Sequence, residues 1–247
     1  MLVREAMNAL FTGASAEHMR DLFNEDLIQH DPEVATGLAP VLERSPAMKA
    51  AGIEHQIHRI FEDGDLVATH STVAVHQADG RSETVALEVW RIENGKVAEW
   101  WANRQPVVEA TASGRSQVDG ATDVTDRDLT AKNKEFMARF VNDVILKQAP
   151  QNLTMYISSE QYDQHNPLIK DGIEGIVEAL ELYDTSNVTI HKTLGEGNFM
   201  MLMSEGELQG VNHAYFDLFR IEGGLIVEHW DVVAPLPAAM AHDNGMF

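Results

Sequence analysis

Three blocks of the 247-residue chain occur twice, in the same order. Gln29-His30-Asp31-Pro32 with Gly37 returns 135 residues later as Gln164-His165-Asn166-Pro167 with Gly172. Ile57-His58 followed by Gly64 returns as Ile190-His191 followed by Gly197. Arg91-Ile92-Glu93-Asn94-Gly95, with Glu99, Trp101 and Pro106, returns as Arg220-Ile221-Glu222-Gly223-Gly224, with Glu228, Trp230 and Pro235. The offset drifts from 135 to 129, as short loop deletions would cause, so one folding unit is duplicated. Residues 107–124, rich in Ala, Thr, Ser, Gly and Asp, show no apolar period and read as a linker. The expected division is an N-terminal unit over 1–106, a linker over 107–124 and a C-terminal unit over 125–247.

Composition excludes several partners. With 39 Asp and Glu against 18 Lys and Arg, the formal charge of -21 repels phosphate backbones and anionic lipid surfaces, so neither nucleic acid nor membrane is expected. No run of 18 apolar residues suggests a membrane span. No apolar stretch near Met1 reads as an export signal, and there is no cysteine, which fits a cytoplasmic location.

Each copy places helical text before strand text. In the second, Phe136, Phe140, Val141, Val144 and Ile145 form a one-sided helical stripe; a short helix is expected over 153–157 and another over 172–183. Strand-like runs follow over 188–194, 199–207, 211–221 and 225–234. Helices ahead of an antiparallel meander imply an α+β layer with a concavity under the helices. The Asn94-Gly95 and Gly223-Gly224 pairs are two-residue hairpin turns. Regular pairing from the second turn sets Phe216 opposite Asp231 and Leu218 opposite His229. One face then carries Phe216, Leu218, Val227, His229, Asp231 and Val233, and the other Tyr215, Asp217, Phe219, Glu228 and Trp230.

Gln-His-Asn-Pro ahead of a Gly-led helix, and Phe219-Arg-Ile-Glu-Gly-Gly-Leu-Ile-Val-Glu-His-Trp-Asp231 closing the sheet, resemble the SnoaL-like polyketide cyclases of the nuclear transport factor 2-like superfamily. The second copy resembles them along its length and the first more loosely. The resemblance implies two tandem cone-shaped domains, each with about three helices on a curved antiparallel sheet, forming an intramolecular pseudo-dimer, with a homodimer also open. It implies cofactor-free ring closure by intramolecular aldol addition, with Asp231 as the acid/base residue and His165 as the matching histidine. The fold also serves isomerases, dehydratases, epoxide hydrolases and non-catalytic binders.

Abstraction of a proton beside a carbonyl needs a base near that carbon and a donor facing the oxygen. Asp231 is the candidate base, His165 the candidate donor and His229 an orienting residue, with Phe216, Leu218, Tyr162 and Val233 as contacts for a small apolar or aromatic ligand. The bland alternatives are a carboxylate that caps a helix and a histidine that pins its own turn. In the first copy Ala102 replaces Asp231 and Trp100 replaces His229. That pocket is expected to be degenerate, lacking its base and narrowed by the tryptophan. No cofactor and no metal is expected. His55, His58, His70 and His76 are not spaced to converge. Epoxide hydrolysis would need a second carboxylate and an arginine in the cavity, and only Arg220 is near. A binding or carrier module without chemistry stays open beside the enzyme.

Overall fold

A computed structural model describes residues 2–77, 80–183 and 185–247. It divides into two units, one of Met1–Val107 with Leu236–Phe247 and one of Val108–Pro235. The first opens with helices α1 (Leu2–Thr12) and α2 (Ala16–Leu22), then strand β1 (Phe23–Gln29) and helix α3 (Leu38–Ala50). Strands β2 (Glu54–Asp63), β3 (Leu66–Gln77), β4 (Gly80–Glu93) and β5 (Lys96–Pro106) complete it. The second repeats the plan with α4 (Thr130–Phe140), β6 (Asp163–Gln164), α5 (Gly172–Leu182), β7 (Thr185–Glu196), β8 (Phe199–Leu208), β9 (Val211–Glu222) and β10 (Leu225–Pro235). Both sheets have the same order, β1-β5-β4-β3-β2 and β6-β10-β9-β8-β7, the first strand of each lying parallel to the last. These are two α+β domains built to one plan.

Local chemistry explains the elements. In α1, Val3, Ala6, Met7 and Leu10 fall on one buried stripe, and Ser15 caps α2 by accepting from the His18 amide at 3.2 Å. Ser45 of α3 donates to the Leu10 carbonyl at 2.7 Å, tying α3 to the end of α1. In α4, Met137 and Phe140 are buried, and Asn133 donates to the Gly197 carbonyl at 2.8 Å. The apolar stripe continues past α4 as one π-helical turn, Val141–Ile145. The helix expected over 153–157 is instead a 3-10 segment, Pro150–Met155, begun by a proline.

Asn94-Gly95 and Gly223-Gly224 make the tight hairpin turns, each residue at positive φ. The strands do not then pair regularly. A bulge shifts β10 by one residue between Ile226 and Glu228, and the matching place between Arg91 and Ile92 shifts β4 against β5. Asp231 therefore pairs with Asp217, and His229 with Phe219. Met200, Leu202, Phe219 and Ile221 pack under the helices. Phe216, Leu218, Trp230 and Val232 are equally buried on the opposite face. The expectation that put Phe216 and Leu218 beside Asp231 is corrected: the bulge exchanges the two sides of β9 relative to β10.

Residues 107–124 are no free linker. Val108 onward belongs to the second unit, where Ala112 donates to the Pro167 carbonyl at 2.9 Å and Ser113 to the Gln164 carbonyl at 2.7 Å. Gly120 lies so close to Glu228 that a Cβ would collide with it. The last residues, expected in the C-terminal unit, form the corresponding strap in the first. Ala241 donates to the Pro32 carbonyl at 2.9 Å, Asn244 to the Gln29 carbonyl at 2.9 Å, and His242 meets the Asp31 carbonyl at 3.0 Å. Each strap fastens a Gln-His-Asx-Pro loop. Removal of residues 241–247 is expected to cost about 1–3 kcal/mol in urea unfolding and to raise amide exchange over 29–36. Unchanged stability and exchange would show that the strap fastens nothing.

Candidate functional site

The short strand β6 runs beside β10, and its alternation decides which residues meet. Gln164 points to the helix side, where its Oε1 faces His229 Nδ1 at 3.0 Å. His165 points to the opposite side, stacks on Trp230 with ring centroids 4.8 Å apart, and contacts Glu228 at 3.1 Å and the Ser116 carbonyl at 2.7 Å. Asn166 returns to the helix side and donates to Asp231 Oδ2 at 2.6 Å. The proposed donor His165 is thus held away from Asp231 by the period of the strand. His30 has the same surroundings: Trp101 stacked at 4.8 Å, Glu99 at 2.8 Å and the Gly245 carbonyl at 2.8 Å. Arg91 and Arg220 complete the two copies by donating to Glu99 at 2.7 Å and to Glu228 at 2.6 Å. Burial works against the charge of each glutamate, but these partners outweigh it and lower both pKa values. The repeated histidine fastens a loop in both units.

On the helix side of the second unit, Asp231 is 6% exposed. Burial pushes its pKa up to about 6, Asp217 adding to the rise and the His229 charge and the Asn166 bond opposing it. His229 Nε2 meets Asp217 Oδ1 at 3.1 Å. Gln164 Oε1 also accepts from the Asn166 amide at 2.9 Å, so the oxygen of that side chain faces His229 Nδ1. Both ring nitrogens therefore face acceptors, which favours the imidazolium. Burial works against that charge, yet Asp217 and Asp231 outweigh it and raise the His229 pKa. Tyr162 accepts from Gln164 Nε2 at 3.3 Å, and burial raises its pKa, so its own proton is kept. Val233 pairs with Tyr215 on the Asp231 side. Of the four expected ligand contacts, Tyr162 and Val233 share a side with the carboxylate and Phe216 and Leu218 do not.

Ligand atoms of Asp217, His229 and Asp231 lie within 4.8 Å of one another, a spacing that a divalent cation could bridge. Such an ion would have to displace the bond between His229 and Asp217. The second carboxylate missing from the sequence reading is Asp217, turned inward by the bulge. Arg220 is on the other side, committed to Glu222 and Glu228 at 2.6 Å each.

The first unit, expected to hold a degenerate pocket, keeps open space under its helices. It holds a cavity of about 190 Å³ whose walls include Phe11, Val41, Val73 and Trp100 and whose polar lining includes Asp31, Glu88 and Arg104. Trp100 stacks on Trp90 at 4.4 Å and so forms a wall without filling the space. Glu88 pairs with Ala102 as Asp217 pairs with Asp231, and it accepts from Trp100 Nε1 at 3.2 Å and Arg104 at 3.4 Å. Arg104 also donates to Asp31. Burial raises the Glu88 pKa. It opposes the Arg104 charge, but Asp31 and Glu88 outweigh it and raise that pKa. The carboxylate lost at Ala102 reappears on the loop as Asp31, where the second copy has Asn166. This exchange, and Asn166 itself, were visible as paired differences between the copies. A fully buried consequence is Gln29 Nε2, which has no hydrogen-bond partner among the described residues. The tyrosine and histidine around Gln164 are Leu27 and Trp100 in the first copy.

A SnoaL-like domain family matches residues 3–100, the copy expected to resemble it more loosely. No curated protein matches the chain. Among solved structures, IdmH of Streptomyces antibioticus, described as a polyketide cyclase, is 19% identical with a TM-score of 0.37, covering 42% of this chain and 89% of its own. A protein of the same description from Sinorhizobium meliloti is 17% identical with a TM-score of 0.35, covering 41% and 92%. Among the described residues no helix is long and apolar enough to cross a membrane. The match to a SnoaL-like domain family thus falls on the first unit, and the second unit is built to the same strand order.

Proposed function

We propose that the second unit is a cofactor-independent acid/base catalyst for a small, mostly apolar carbonyl compound. The observation that supports it is the buried Asp231 carboxylate, bonded by Asn166 at 2.6 Å and set beside the His229–Asp217 pair. A carboxylate with a pKa raised to about 6 is a stronger base than a solvated one, yet it is still ionised at neutral pH. Asp231 takes the proton from the carbon beside the carbonyl. The enolate carbon adds to a second carbonyl of the same molecule, and the proton returns to the alkoxide, so the product is an isomer of the substrate. Tyr162 replaces His165 as the donor to the developing oxyanion, and cationic His229 supplies a positive field. Epoxide hydrolysis in this unit is less well supported, because Arg220 is on the far side of the sheet. A carrier of the same fold would bind without turnover.

Exchange of α-protons of cyclohexanone in deuterated water reads the first step without the native substrate. The wild type is expected to speed exchange with a rate that rises through about pH 6 and then levels, and Asp231→Asn to lose about 10²–10⁴-fold. Tyr162→Phe should lower the rate and leave the pH midpoint in place. Exchange by Asp231→Asn at the wild-type rate would refute the base assignment.

The raised pKa also carries a stability signature. Folded Asp231 binds its proton more tightly than an unfolded aspartate, so between about pH 4 and pH 6 the wild type loses stability as pH rises. Asp231→Asn lacks that loss and is expected to be about 1–3 kcal/mol more stable than wild type at pH 7, with no such advantage at pH 4. Urea unfolding at the two pH values measures it, and a variant equally destabilised at both would contradict it.

A further inference from the structure

We infer that the cavity of the first unit is a second ligand site, chemically unlike the one at Asp231, which takes an uncharged compound of single-ring size carrying an acceptor oxygen such as a ketone or ester. Size comes from the space. An apolar cavity of about 150 Å³ holds benzene, and this one measures about 190 Å³. The walls supplied by Phe11, Val41, Val73 and Trp100 suit a flat apolar body.

The polar lining sets the head group. Arg104 gives one N–H to Asp31 and one to Glu88, which leaves three of the five guanidinium donors beyond those two bonds. Its side chain is 30% exposed, whereas Asp31 and Glu88 are 2% and 4% exposed. The donor is therefore the group a ligand reaches. Glu88 already accepts from Trp100 and faces the Ser71 and Thr69 hydroxyls at 3.3 and 3.5 Å. Asp31 accepts from the Glu33 amide at 3.0 Å as well as from Arg104.

Charge then decides between neutral and ionic ligands. Arg104 is bonded to both Asp31 and Glu88, Arg44 lies 4.0 Å from Glu33, and both buried carboxyl groups already have other donors, so a charged ligand of either sign finds no unmatched partner. A carboxylate or an ammonium ion would enter as an uncompensated buried charge. A carbonyl oxygen gains a charge-assisted hydrogen bond and adds no charge.

The test is a chemical-shift titration of the full chain with acetophenone, benzoate and benzylamine, reading the Trp100 Nε1–H in the cavity wall. Acetophenone should shift that signal saturably, and the two ions should not. Val75→Phe, which fills the cavity from a partly exposed wall position, should weaken binding at least tenfold, and Arg104→Met should do the same. Asp231→Asn should leave the acetophenone titration unchanged, which separates failure of this site from failure of the base assignment in the second unit. The inference is overturned by no saturable shift, by ions binding as tightly as the ketone, by affinity unchanged in folded Val75→Phe, or by loss of binding in Asp231→Asn.

Discussion

One extra residue in each closing strand decides which side chains meet under the helices of both units. Without the bulge at Val227, Asp231 would sit opposite Phe216; with it, Asp231 sits opposite Asp217 and two carboxylates share the space under the helices. Two like charges in a site of low polarity are tolerable only with compensation. His229, held between acceptors on Asp217 and Gln164 that favour its protonated form, and Asn166, a hydrogen-bond donor, are the compensating groups. The resulting carboxylate is poorly solvated and basic.

The duplicated scaffold separates what the fold requires from what the chemistry requires. Both units keep the histidine, its stacked tryptophan, the glutamate and the arginine, and both fasten the loop with a strap. That set stays constant because it anchors the parallel strand. The groups on the helix side have diverged together: Asn166, Asp231 and His229 correspond to Asp31, Ala102 and Trp100. Charge moves from the strand to the loop, and Arg104 arrives to balance it. The two sites are alternative solutions to the cost of burying a carboxylate, one using an imidazolium and an amide, the other a guanidinium.

Much of this was legible in the sequence. The repeat, the order of helices and strands, the hairpin turns and the burial of Asp231 all follow from periodicity and turn chemistry. The register was not, because a bulge inserts one residue with no compositional mark, and it moved Phe216 and Leu218 off the site. His165 was misplaced for a related reason. Alternation carried past the end of β6 sends it and Asn166 to opposite sides, but which one faces inward depends on the pairing of β6 with β10. The straps were read as linker and tail since their contribution is hydrogen bonding to a loop rather than an apolar face. The expectation for the first cavity rests on Ala102 and the bulk of Trp100, and Asp31, in the repeat itself, is the carboxylate it leaves out.

A carboxyl carbon NMR titration of the wild type, with the Asp231 signal assigned by its loss in Asp231→Asn, tests the central claim most directly. A midpoint near pH 6 is the predicted result. A midpoint near 4, that of a solvated aspartate, would contradict the account.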